Sequence, residues 1–120
     1  MRPEFTASLM CMDLLDIKHQ IEVLDGELDG YHIDIMDGHY CIEEMLEKIA
    51  QAARLREENG WHYKIMIDGS CNQKTFRRLY EAGADVFVMG SSGLFSLDAD
   101  LKAACDTMKR LFAQETGVKL

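Results

Sequence analysis

A chain of 120 residues, 48% hydrophobic and with a single proline, is long enough for one domain with a modest core and too apolar for wholesale disorder. Its formal net charge of −8 argues against nucleic-acid backbones or anionic membranes as partners. No run approaches the roughly 18 uninterrupted apolar residues of a membrane helix, and MRPEFTASLMCMDLL has no basic region ahead of a long apolar stretch.

Four cysteines, Cys11, Cys41, Cys71 and Cys105, lie far apart without CxxC spacing, which fits a reduced, cytoplasmic protein better than a disulfide framework or a structural zinc site. An anionic ligand would then need a local positive field from a metal, a helix N-terminus or backbone amides.

The expected elements alternate. FTASLM (5–10) reads as a short strand, and Asp13 as the N-cap of a helix whose inner face is Leu14, Ile17, Ile21 and Leu24. YHIDIM (31–36) is the second strand. A long helix over 42–58 carries Ile42, Met45, Leu46, Ile49 and Ala53 on one face and closes at Asn59-Gly60. YKIMID (63–68) is the third strand, followed by a short helix over 72–82. DVFVMG (85–90) is the fourth, and a last helix over 98–113 should bury Leu101, Ala104, Cys105, Met108 and Leu111.

Four β-then-α units joined by short loops imply an α/β fold with parallel strands and right-handed crossovers. No linker or second domain interrupts them, so residues 1–120 read as a single domain.

In parallel βα architectures, functional side chains gather where the strands end. Ser8, the pair His32 and Asp34, Asp68, and the run Gly90-Ser91-Ser92-Gly93 all fall at such ends. In HIDIMDGH (32–39), strand alternation sets His32, Asp34 and Met36 on one face and Ile33 and Ile35 on the other. An aspartate at a strand end most often caps the next helix or ties down a loop. Matching aspartates on two strands can also form an acid–base pair, taking a proton from one face of a carbon beside a carbonyl and returning one to the other.

Such chemistry needs an electrophile for the enolate charge, and a divalent metal is the usual one. His32, Asp34 and Asp68 offer one nitrogen and two oxygen donors, a set that suits Zn, Fe, Mn or Co. Gly69-Ser70 and MGSSGLF (89–95) offer backbone amides to a phosphate, although glycine and serine are also ordinary turn residues. Met36 and Met66 would cushion a planar enediolate. His19 and His62 read as surface residues, and His39 as a solvated loop histidine.

The segments SLMCMDLL, YHIDIMDGH, IDGSCNQKTF and AGADVFVMGSSGLF resemble the ribulose-phosphate 3-epimerase superfamily, and SCNQ with GSSGLF favours its D-allulose-6-phosphate 3-epimerase branch. The resemblance implies a TIM barrel built from eight βα units, of which this chain carries four, matching the first, second, seventh and eighth: a half barrel. It places an internal deletion near 40–42, where DGH runs into YCIEEML. Since barrel strand eight neighbours strand one, the retained strands are expected to be contiguous.

By the same resemblance, the activity is that of an isomerase of carbohydrate metabolism, a metal-binding sugar-phosphate epimerase. Asp34 and Asp68 are its catalytic carboxylates, and His32, Asp34 and Asp68 its ligands for a divalent cation. Ser8, Met36, Gly69, Ser70, Gly90 and Ser91 contact the sugar phosphate. The family's third-strand histidine ligand and its glycine-rich loop after the sixth strand are missing. Ala7 stands where the family usually has proline. An open sheet with two edges invites association, so a homo-oligomer, a dimer of half barrels, is expected. The alternative is an inactive half-barrel remnant or interaction module that keeps weak metal or phosphate binding.

Overall fold

A computed structural model describes residues 2–9, 14–35 and 42–120. The expected Asp13 cap, Met36, His39 and most of the proposed join lie outside the described residues. Strand β1 (Thr6–Ser8) leads through a turn of 3-10 helix at Leu14–Asp16 into α1 (Ile17–Leu24). Then follow β2 (Gly30–Asp34), α2 (Ile42–Asn59), β3 (Lys64–Asp68), α3 (Phe76–Ala82) and β4 (Val86–Val88). One wide turn at Ser91–Phe95 precedes α4 (Leu101–Thr116). The result is the expected α/β fold: four strands, all parallel, form one sheet among the described residues.

The strand order is β1-β2-β3-β4. The resemblance puts β4 beside β1; instead these two are the edges, and β2 pairs with β3 in the middle. The cause is local. The 18-residue helix α2 makes a single crossover from the end of β2, and a βαβ unit delivers the next parallel strand most simply to the adjacent position.

The two faces of this sheet differ sharply. Tyr31 and Ile33 of β2, with Ile65 and Ile67 of β3, point one way and are buried under the helices beside Ile17, Ile21, Met45, Ile49, Phe76 and Leu79. On the other face lie Thr6, Ser8, His32, Asp34, Lys64, Met66, Asp68, Val86 and Val88, all partly or well exposed. All-parallel sheets are almost always covered on both sides. Here one side is bare.

Helix faces match expectation in part. In α2 the fully inward set is Met45, Ile49, Ala52 and Leu55, with Ile42, Leu46 and Ala53 at its margin. In α4 the expected stripe is rotated. Leu101 is exposed because it is the first helical residue, directly after the Asp100 cap that accepts from the Ala103 amide at 3.0 Å. Phe112, absent from the expected stripe, is buried instead and stacks edge-on against Phe76 and Phe87 with ring centres 5.1 and 5.0 Å away. Tyr63 packs edge-on to Tyr31 at 4.8 Å and donates its hydroxyl to the Ala52 carbonyl, and burial pushes its phenol up to about 12.

The lower ends of the strands are tied by charge. Arg56 reaches Asp85 at 2.5 Å and the Tyr63 carbonyl at 2.7 Å, while Asp85 also accepts from the Ile65 amide at 3.0 Å. Asp29 accepts from the Phe5 amide at 2.8 Å and from Arg2 at 2.9 Å; those two bonds, the amide first, hold its carboxyl below the ordinary value of 3.8. A depressed folded-state value contributes stability above the unfolded value and loses it as pH falls through the folded one. Protection of the Phe5 amide against hydrogen exchange is therefore expected to hold from neutral pH down to about 4 and to collapse in stronger acid. Asp29→Asn should abolish that pH dependence.

Candidate active site

The bare face and the C-terminal strand ends meet at one rim. Asp34 ends β2 and Asp68 ends β3, and the two are register partners, so they stand side by side on the open face. His32 lies two residues deeper, in register with Ser8 on one side and Met66 on the other. Its Nε2 is 3.4 Å from Asp68 Oδ2, a long contact for a hydrogen bond. Their side chains are 27% and 48% exposed, so a ligand can reach both.

This placement departs from a pair of carboxylates facing each other across a pocket. Asp34 and Asp68 rise from adjacent strands, roughly 4.8 Å apart, and approach a substrate from the same wall.

The residues expected to meet the phosphate also come together. Asp68, Gly69, Ser70, Gly90, Ser91 and Ser92 line a cleft of about 320 Å³. Gly69 has φ 98°, and a Cβ there would lie 2.2 Å from the Ile35 carbonyl, so the loop after β3 rests directly on the chain leaving β2. The Ile35 amide donates to the Asp68 carbonyl at 2.7 Å and continues the pairing one step past the strands. Ser70, at φ 56°, is the only non-glycine with positive φ among the described residues, and its carbonyl accepts from the Thr75 hydroxyl.

Two residues of this rim, Asn72 and Cys71, were given no role from the sequence, and a third, Gly93, was read only as part of the glycine–serine run. Asn72 joins the two loops through a 3.2 Å bond from its amide to Ser92 Oγ. A Cβ at Gly93 would lie 1.9 Å from the Cys71 carbonyl, which fixes the spacing of the same loops. Cys71 is buried beneath them, and burial first, then the nearby Asp68 charge, pushes its thiol up to about 11. The visible signal for all three was only the SCNQ and SSG wording. A thiol so raised is protonated at neutral pH. Cys71 is expected to resist alkylation in the native chain at pH 7 to 8 and to react on unfolding, as peptide mass mapping would report.

A larger groove, about 990 Å³ and lined in part by Arg54, Trp61, His62, Lys64 and Gly83, lies at the opposite end of the strands. Active sites of parallel βα folds belong to the other rim, so the carboxylate end is the candidate. His19 and His62 are exposed, as expected of surface residues.

His32, Asp34 and Asp68 fit a divalent cation in the kind of donor they offer. Their spacing is looser: among the described residues no three His, Cys, Asp or Glu side chains close around a common point. No described helix is long and apolar enough to cross a membrane.

Comparison with known proteins finds similarity to epimerases. The chain is similar to the ribulose-phosphate 3-epimerase of Treponema pallidum, 36% identical over 55 residues that cover 46% of this chain and 25% of that protein. It is similar to the ribulose-phosphate 3-epimerase of Methanocaldococcus jannaschii, 36% identical over 72 residues, 60% of this chain and 30% of that protein. The matched stretch thus spans less than a third of either relative. Residues 40–95, which carry Asp68 and both glycine–serine loops, match the model of the ribulose-phosphate 3 epimerase family.

Proposed function

We propose that the chain is a sugar-phosphate 3-epimerase, dependent on a divalent metal, acting on a ketose phosphate such as D-allulose 6-phosphate or D-ribulose 5-phosphate. The observation that carries this reading is the gathering of His32, Asp34, Asp68 and the two glycine–serine loops at one end of an open sheet face, with His32 3.4 Å from Asp68. One aspartate takes the proton from C3 and the other returns a proton to the opposite face. His32, Asp34 and Asp68 would hold the metal, which supplies electrophilic stabilisation of the enediolate oxygen. Gly69, Ser70, Gly90 and Ser91 receive the phosphate, Ser8 contacts the sugar, and Met66, with Met36, gives its carbon skeleton an uncharged floor.

On this reading residues 1–120 are one shortened barrel domain in the cytoplasm. The family match begins at residue 40, where the proposed deletion falls, which supports a join at that point. The competing reading, an inactive half barrel or interaction module, draws its support from the unclosed donor set.

An NMR assay with D-ribulose 5-phosphate and D-allulose 6-phosphate in parallel, at saturating Zn, Fe, Mn or Co, separates the two. Appearance of the C3 epimer of either sugar supports the enzyme, and its rate picks the substrate. Failure with both sugars and every metal, from a folded chain, leaves the remnant.

A further inference from the structure

We propose that the catalytic carboxylate pair is formed between two copies of this chain, Asp34 of one facing Asp68 of the other; this rests on the epimerase reading above. Proton transfer to opposite faces of a planar enediolate needs one carboxylate on each side of the plane, separated by roughly twice the 3.5 Å contact distance or more. Within one copy both groups rise from neighbouring strands of the same wall. They can approach one face of a substrate but cannot straddle it. The opposite wall has to come from elsewhere.

A two-fold axis running along the strands supplies it. Such an axis sets β4 of each copy parallel to β1 of the other, so that both edges and the bare face are covered in one operation and the contact is made twice. The closed order is then four strands from each copy. Asp34 and the other copy's Asp68 stand three strand positions apart, with the new β4–β1 join between them. Eight strands about 4.8 Å apart and tilted by about 36° enclose a circle of roughly 7.5 Å radius, which puts those positions roughly 14 Å apart. Two aspartates reaching inward leave a slot that a sugar backbone fills.

Both edge strands carry exposed apolar side chains at the proposed seam: Phe5 directly precedes β1, and Val88 lies on the bare face of β4. Other large hydrophobics, Leu15, Val23, Tyr80, Phe95, Leu101 and Leu120, are exposed outside the strands.

The test uses chains carrying single changes. Asp34→Asn and Asp68→Asn are each expected to be inactive alone. Coexpressed, with one chain isotopically labelled so that native mass spectrometry identifies the hybrid, they regain about a quarter of parental turnover, because half the dimers are hybrids and each hybrid keeps one of its two pairs. Sedimentation of the parent should give twice the 13.7 kDa chain mass. An inactive parent overturns the epimerase reading itself. An active parent that sediments as a single chain, or an inactive mixture in which hybrids are seen, overturns only the sharing of the site.

Discussion

Replacing Asp68 with asparagine is expected to lower epimerase turnover by roughly 10²- to 10⁴-fold, the usual contribution of a positioned acid–base group. That range is about 3 to 5 kcal/mol of transition-state stabilisation. The fold should barely notice. The Asp68 side chain is 48% exposed, and its polar contact among the described residues is the long approach to His32. Exposed polar substitutions of this kind change stability by about 0.5 kcal/mol or less. Thermal unfolding beside the kinetic assay therefore separates the roles: a catalytic aspartate loses rate at constant Tm, while a loop-anchoring aspartate loses both. Asp34, exposed at the equivalent position of β2, is expected to behave alike.

The second large effect is expected at Gly69, and it should fall on the fold. Alanine there must adopt φ 98° and place its Cβ 2.2 Å from the Ile35 carbonyl, a backbone atom that cannot swing aside. Positive φ alone costs a non-glycine about 1 to 3 kcal/mol. The clash adds to it, so Gly69→Ala should destabilise by more than about 3 kcal/mol, measured by urea unfolding. Gly93→Ala meets the Cys71 carbonyl at 1.9 Å and should follow. Gly90 is the control. Nothing lies within 4 Å of a Cβ built there, so Gly90→Ala should leave the unfolding midpoint unchanged. If Gly90 meets the phosphate, that variant raises KM for the sugar phosphate.

Much of this was legible in the sequence, for reasons that can be named. Strands β2 and β3 announced themselves because Ile33, Ile65 and Ile67 alternate with His32, Asp34, Lys64, Met66 and Asp68, and the structure buries those isoleucines while leaving His32, Asp34 and Asp68 accessible. Helix α2 was readable from its apolar stripe and from the Asn-Gly stop that ends it. What the sequence concealed is tertiary. No periodicity distinguishes Phe112 from Leu111, and burial of the first follows from packing against Phe76 and Phe87. The bond from Asn72 to Ser92 joins residues 20 apart, which a motif cannot reveal.

The strand order was the largest difference. A family barrel returns strand eight to strand one, but with four units the chain closes β2 onto β3 and leaves β1 and β4 as edges. That one change moves Asp34 from a position across the pocket to a position beside Asp68.

On the proposed reading these carboxylates move a proton at C3 of a ketose phosphate. Incubation of the divalent-metal-loaded chain with D-ribulose 5-phosphate or D-allulose 6-phosphate in D₂O, followed by proton NMR, tests it most directly. Solvent deuterium should exchange into C3 as the C3 epimer appears, and both should be lost on Asp68→Asn. A folded, metal-loaded chain that leaves the C3 proton of both sugars unexchanged would contradict it.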